Sequence, residues 1–231
     1  MIRKAIVLAA GRGTRMGALT QDIPKPMLPV EGKPMLQHIV ERLKQSGIED
    51  ILVVVGYHRE RIEARFPDLK FVTQEIIAGT AAAVKLGRAF VAEDPFLLTF
   101  GDILCEASNY QGISEAYAQS QPAAVIGVKH VDDPWQGAAV YADSSGRVAK
   151  IVEKPNPGTS TTHWNSAGLY VFAPIVFHEI ERVRESPRGE YEITSAIEQL
   201  IESGQPVRLF EMQGAWRDIG RPEDLRILNS Q

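Results

Sequence analysis

Five short runs, Ala5–Leu8, Ile51–Val55, Leu69–Thr73, Phe96–Phe100 and Ala123–Val128, are apolar without alternation, the pattern of strands buried on both faces. They predict a parallel sheet. Between them the period changes. Leu36, Ile39, Val40 and Leu43 share a helical face ahead of Gly47, and Ala81, Val84 and Leu86 predict a second helix. Alternating strands and helices imply right-handed crossovers and an α/β sandwich, with a ligand crevice beyond the carboxyl ends of the strands. From about Gly137 the pattern differs: Ala138–Tyr141 and Val148–Val152 flank Asp143-Ser144-Ser145-Gly146, a predicted hairpin. A strand at Leu169–Phe172 and helices at Ile193–Ile201 and Pro222–Leu228 follow, so the second half is expected to add β structure over the crevice.

With 231 residues, 44% of them hydrophobic, the chain can bury one substantial core. No repeat or linker-like stretch divides it, and residues 1–231 are read as a single domain. A net charge of -4 offers no general attraction to nucleic acid or to an anionic membrane, so phosphate binding must come from local cations. The single cysteine, Cys105, cannot form an intrachain disulfide, which fits a reducing cytoplasm. The apolar run Ala5–Ala10 is too short for a secretory signal and no segment has the length of a bilayer span, so a cytoplasmic protein is expected.

The first run leads into Leu8-Ala9-Ala10-Gly11-Arg12-Gly13-Thr14-Arg15-Met16, continued by Pro24-Lys25-Pro26. Small residues let backbone N–H groups approach anionic oxygens, and Arg15 and Lys25 add charge-assisted hydrogen bonds. Such a loop should cradle a polyphosphate. Gly11 and Gly13 alone could merely shape a turn. A nicotinamide dinucleotide loop fits poorly, because Met16 stands where a third glycine or alanine belongs and no acidic residue ends the second strand at Val55-Gly56-Tyr57. No Gly-Lys-Ser/Thr closes a Walker loop either.

In these residues the chain resembles the sugar-phosphate nucleotidyltransferases, the family of glucose-1-phosphate uridylyl- and thymidylyltransferases and mannose-1-phosphate guanylyltransferases. The resemblance continues through Gln74 with Gly79-Thr80-Ala81, Gly101-Asp102, Glu153-Lys154-Pro155, Ala167-Gly168-Leu169-Tyr170 and Trp216-Arg217-Asp218-Ile219-Gly220. It implies a Rossmann-like nucleotidyltransferase sandwich with a mostly parallel central sheet and a smaller β-rich sugar-binding part, residues 1–130 serving mainly the nucleotide and 131–231 mainly the sugar phosphate. Leu8, Ala10, Gly11, Gly13, Thr14, Arg15, Gln74, Gly79, Thr80 and Gly101 would bind the nucleotide, Gln74 reading the base edge and Gly79 and Thr80 packing on the nucleoside. Gly137, Glu153, Lys154 and Ser166 would bind the sugar phosphate. Asp102 and Asp218 would hold Mg2+, and Arg15, Lys25 and Lys154 would act on the reacting phosphates. Many relatives carry Asn-Ala-Gly where this chain has Ser166-Ala167-Gly168, with Asn165 one place earlier. The chain stops soon after the Asp218 block, without the hexapeptide-repeat extension of some relatives, and a second activity is not expected.

The expected reaction is transfer of a nucleotidyl group from UTP or dTTP to a hexose-1-phosphate, glucose-1-phosphate first, with release of pyrophosphate. A GTP-dependent mannose-1-phosphate enzyme and a non-catalytic nucleotide-sugar sensor are the alternatives, since the Gln74 amide both donates and accepts. The expected partners are the triphosphate and the sugar-1-phosphate, without nucleic acid or membrane; a homo-oligomer stays open. The five histidines show no metal-ligand spacing, and Trp216 and Tyr170 are read as packing residues. Arg188-Gly189-Glu190-Tyr191-Glu192, followed by Ile193-Thr194-Ser195, resembles a segment common in relatives acting on glucose-1-phosphate; it is read first as a helix start, with Ser195 to Glu198 as a capping box, and second as a border of the sugar pocket.

Overall fold

The apolar runs of the amino-terminal half become the centre of a nine-stranded sheet in a computed structural model that describes residues 2–230. The strands are β1 (Lys4–Ala9), β2 (Pro29–Val30), β3 (Lys33–Pro34), β4 (Asp50–Val55), β5 (Lys70–Thr73), β6 (Phe96–Phe100), β7 (Ile103–Cys105), β8 (Ala124–His130), β9 (Ala138–Ala142), β10 (Val148–Glu153), β11 (Trp164–Phe172), β12 (Val207–Glu211) and β13 (Trp216–Asp218). The helices are α1 (Met35–Gln45), α2 (Arg59–Arg65), α3 (Thr80–Lys85), α4 (Arg88–Val91), α5 (Ala107–Ser120), α6 (Val176–Ile180), α7 (Ile193–Glu202) and α8 (Pro222–Asn229).

β1 lies between β4 and β6, and β5 extends the sheet beyond β4, all parallel. Both faces are covered, as the unbroken apolar runs require. Along β1, Ala5 and Val7 pack with Leu36, Ile39 and Leu43 of α1 and Ile113 of α5, while Ile6 faces Val84, Phe177 and Ile197 of α3, α6 and α7. Each such fully buried aliphatic side chain contributes roughly 1.5–3 kcal/mol relative to exposure.

The fifth run marks where the mostly parallel sheet becomes mixed. β8 runs in the direction of β6 but does not pair with it. β11 inserts between them, antiparallel to both. β12 then pairs parallel with β8 at the outer edge. The predicted hairpin forms from β9 and β10, with a bulge between Val148 and Lys150, and joins the sheet where Ala139 pairs with Asn165 of β11. β11 therefore begins five residues before the apolar run Leu169–Phe172 that announced it.

Two helix predictions change as well. Ala81 and Val84 are buried in α3, but Leu86 is 39% exposed and the chain turns there into the separate α4. Ser195 caps nothing: α7 already starts at Ile193, so Ser195 lies inside its first turn. Among the described residues no helix is long and apolar enough to cross a membrane.

Candidate active site

The glycine-rich loop leaves β1 where the strand ends crowd together. The Ala10 carbonyl accepts the Tyr57 N–H at 3.3 Å, and Gly56 is tolerated because a Cβ there would lie 2.8 Å from that same oxygen. Gly13 has φ +63°, and its carbonyl accepts the Met16 N–H at 2.8 Å and the Thr20 hydroxyl at 3.0 Å. This folds the loop back so that Lys25 packs under it. Gly11, Thr14 and Arg15 stay open to solvent. Arg12, Gly13 and Thr14 form one wall of a cavity of about 800 Å³ whose other walls include Tyr57, Gln74, Ile77 and Glu190. Gln74 is 6% exposed; its backbone N–H bonds the Val55 carbonyl at 2.8 Å and its side-chain amide donates to Gly79 O at 3.3 Å.

Gly101 follows β6 and donates its N–H to Leu8 O at 2.8 Å, with Pro26 so near that a Cβ would stand 3.1 Å from its ring. This close packing brings Asp102 onto Lys25, which is only 7% exposed, and the two form an ion pair. β7 then pairs antiparallel with β13, setting Asp218 opposite Ile103, and Ile219 donates its N–H to Asp102 O at 3.1 Å. Two carboxylates 116 positions apart thereby share one corner.

Asp218 retains an open edge, yet protein atoms crowd its carboxyl. That desolvation, and then the charge of Asp102, raise its pKa, while Lys25 and Arg15 oppose the rise. The Arg15 guanidinium lies beside Asp218 at Gly220, whose Cβ position would be 3.5 Å from Arg15 Nη1 and 3.8 Å from Asp218 Oδ1. Asp224, in the first turn of α8, accepts the Gly220 and Arg221 N–H groups at 3.0 and 2.7 Å and fixes this loop. The corner suits a divalent cation, since two carboxylates that repel one another are relieved by a shared charge, and magnesium takes one or two protein carboxylates and keeps its waters. Among the described residues no group of three or more His, Cys, Asp or Glu side chains could hold a metal.

On the carboxyl-terminal side the β9–β10 hairpin holds the remaining expected residues. Lys154 has φ +42° and donates its N–H to Gly137 O at 2.7 Å. Only glycine fits at 137, where a Cβ would fall 2.1 Å from Asn165 Oδ1. Glu153 accepts the Thr194 hydroxyl at 3.1 Å and lies 3.7 Å from Arg188. Burial and the charge of Glu192 raise its pKa, partly offset by Arg188, Lys154 and Thr194. Ser166 Oγ and the Tyr170 hydroxyl share a 2.7 Å hydrogen bond. Tyr170 is buried and stacks on Phe172, as a packing residue should.

The nucleotidyl transferase family model matches residues 4–231. The chain belongs to that family. Two relatives frame this nucleotidyl transferase. It is 37% identical over 225 residues to the bifunctional protein GlmU of Methanocaldococcus jannaschii, covering 96% of this chain and 52% of the relative. It is also 37% identical over 232 residues to the UTP–glucose-1-phosphate uridylyltransferase AglF of Haloferax volcanii, covering 96% and 93% respectively. The chain thus spans about half the length of the GlmU relatives it matches. A solved UDP-glucose pyrophosphorylase, complexed with UDP-glucose, superposes with a TM-score of 0.92 at 24% identity, covering 100% of this chain and 98% of that one, which shows a common fold.

Of the residues expected in the site of this nucleotidyl transferase, Arg15, Lys25, Asp102 and Asp218 meet at one corner, and Gly13, Thr14 and Gln74 line one cavity. Glu153, Lys154, Gly137 and Ser166 gather around the hairpin base and the start of β11. Gly79 and Thr80 also touch residues 191–193 of the same chain. Thr194, Glu192 and Asp224 were not singled out as site residues. Glu192 and Thr194 belong to the segment 188–195 that the family resemblance sets at the border of the sugar pocket, and nothing in the sequence marks Asp224.

Proposed function

We propose that the chain is a magnesium-dependent sugar-1-phosphate nucleotidyltransferase acting on UTP or dTTP and a hexose-1-phosphate, with glucose-1-phosphate first among the sugars. Residues 1–130 mainly bind the nucleotide and 131–231 mainly the sugar phosphate. What carries the reading is the meeting of Asp102 and Asp218 with Lys25 and Arg15 beside the glycine-rich loop. The similarity to AglF along 96% of this chain supports the choice of triphosphate and sugar.

A sugar-phosphate oxygen attacks the α-phosphorus in line, a new P–O bond forms, and the bond to the departing pyrophosphate breaks. The attacking oxygen is already ionised, so no general base is required. The obstacle is repulsion between two polyanions, and the catalytic contribution is positioning and charge stabilisation. Arg15 and the glycine-loop amides hold the triphosphate, and Lys25 neutralises charge at the reacting phosphates. Lys154 holds the sugar phosphate, while Glu153 accepts hydrogen bonds from sugar hydroxyls. A bound Mg2+, held by Asp102 and Asp218, supplies further neutralisation of phosphate charge.

The test is a matrix of UTP, dTTP, GTP, ATP and CTP against glucose-, mannose- and N-acetylglucosamine-1-phosphate, following pyrophosphate release with and without Mg2+. The expected best pair is UTP or dTTP with glucose-1-phosphate. A strong preference for GTP with mannose-1-phosphate would replace that pair, and no release with any pair would leave a binding protein.

A further inference from the structure

Two segments far apart in the sequence are tied together beside the cavity. Tyr191 donates its N–H to Ala78 O at 2.8 Å, and the Ala81 N–H returns to Tyr191 O at 2.8 Å. Gly79 lies flat against this strap, because a Cβ there would stand 2.5 Å from Tyr191 O and 2.6 Å from Tyr191 N. The Thr80 hydroxyl oxygen accepts the Ile193 N–H at 2.8 Å. Ile193 opens α7, and the preceding Glu192 offers no side-chain cap. A helix leaves its first amides without internal partners; here one of them is satisfied from across the molecule.

This contact sits midway along a longer path. Upstream, Gly79 O accepts the side-chain amide of Gln74 at 3.3 Å. Downstream, Thr194 donates its hydroxyl to Glu153 at 3.1 Å. The path therefore runs from the residue assigned to the nucleotide base to the carboxylate assigned to the sugar.

We propose that Thr80 is a positioning residue that couples the two substrates, fixing the first turn of α7, and through Thr194 the carboxylate of Glu153, once a nucleotide has ordered residues 74–80. The idea rests on the proposed nucleotidyl transfer and on the roles given there to Gln74 and Glu153. When the first ligand orders the shared strap, the second loses less freedom on binding, and the two affinities rise together. Contiguity by itself is not coupling, so the test is a set of linked variants.

Thr80→Val keeps the branched shape but removes the acceptor, leaving the Ile193 amide unpaired, whereas Thr80→Ser keeps the acceptor. With the full chain, the KM for glucose-1-phosphate at saturating UTP should rise about tenfold in Thr80→Val, as for loss of one buried hydrogen-bond partner. Thr80→Ser should restore the sugar-phosphate KM to within about twofold. Thr194→Val should raise the same KM, with the double variant no worse than either single one. An unchanged KM in Thr80→Val, no rescue by Thr80→Ser, or strictly additive singles would overturn the proposal. If Thr80→Val does not fold, Gln74→Ala with Thr194→Val forms the same cycle, and additivity there overturns it equally. Failure of the unmodified chain to turn over any pair would overturn the reaction and this coupling with it, whereas normal turnover with a flat Thr80→Val response removes only the coupling.

Discussion

Lys25 is a buried cation set beside two carboxylates, and that sets its effect. Its ammonium pairs with Asp102 and lowers the raised pKa of Asp218. Replacing Lys25 or Arg15 with alanine should reduce kcat/KM about a hundredfold, the scale of losing one preorganised charge-stabilising group; pyrophosphate-release kinetics check this, and near-normal turnover would remove the assigned role. Glu153 gives a pH signature. Its folded pKa is raised by burial and by Glu192, so the stability it contributes is complete below its ordinary value and is lost as pH rises through the raised one. Glu153→Gln should therefore raise the Tm of the unliganded protein at neutral pH, with the gain vanishing near about pH 4. The same variant should raise the sugar-phosphate KM. Thermal melts across a pH series, paired with kinetics, read both outcomes.

Among the elements, the start of α3 is the most constrained. Gly79 has φ +104° and backbone atoms of Tyr191 where a side chain would go. Gly79→Ala should lower Tm markedly, since the left-handed backbone alone costs about 1–3 kcal/mol and the overlap adds to it. Faster amide exchange at Ala81 and Tyr191 would localise the damage. Legibility follows the same physics. β1, β4 and β6 were readable because burial on both faces writes an unbroken apolar run, whereas β5 is exposed or half-buried along its length and was legible only through Phe71 and Val72. α5 was not, because its buried face includes Asn109, whose amide bonds the Gln213 backbone, and Gly112, which lies under Phe210 where a Cβ would be 2.6 Å from the ring. A polar residue and a glycine read locally as breakers, although each here serves a long-range contact. The start of α7 at Ile193 was legible but its cap was not, for a similar reason: the amide partner there is Thr80, 113 positions away.

At the level of the molecule, the residues of the acidic corner were legible and their meeting was not. Asp102 and Asp218 stand out by motif, but β7 and β13, which bring them together, are three residues each and carry no periodic signal. The corner should respond to a cation. Mg2+ with UTP should raise Tm more than UTP alone, EDTA should abolish turnover, and Asp218→Asn should erase the magnesium-dependent part of the thermal shift. Differential scanning fluorimetry separates these outcomes.

β11 has one further consequence. Its Leu169–Phe172 end pairs with β6 and its Asn165 pairs with the hairpin, while β8 follows it along the other edge. A strand from late in the chain is thus interleaved among early ones, and neither half is a transplantable cassette. A fragment ending at residue 130 would carry two raw strand edges and self-associate. A grafted carboxyl-terminal half would have to bring its own version of the central weave, so changes in the loops around the hairpin are more accessible than exchange of whole modules.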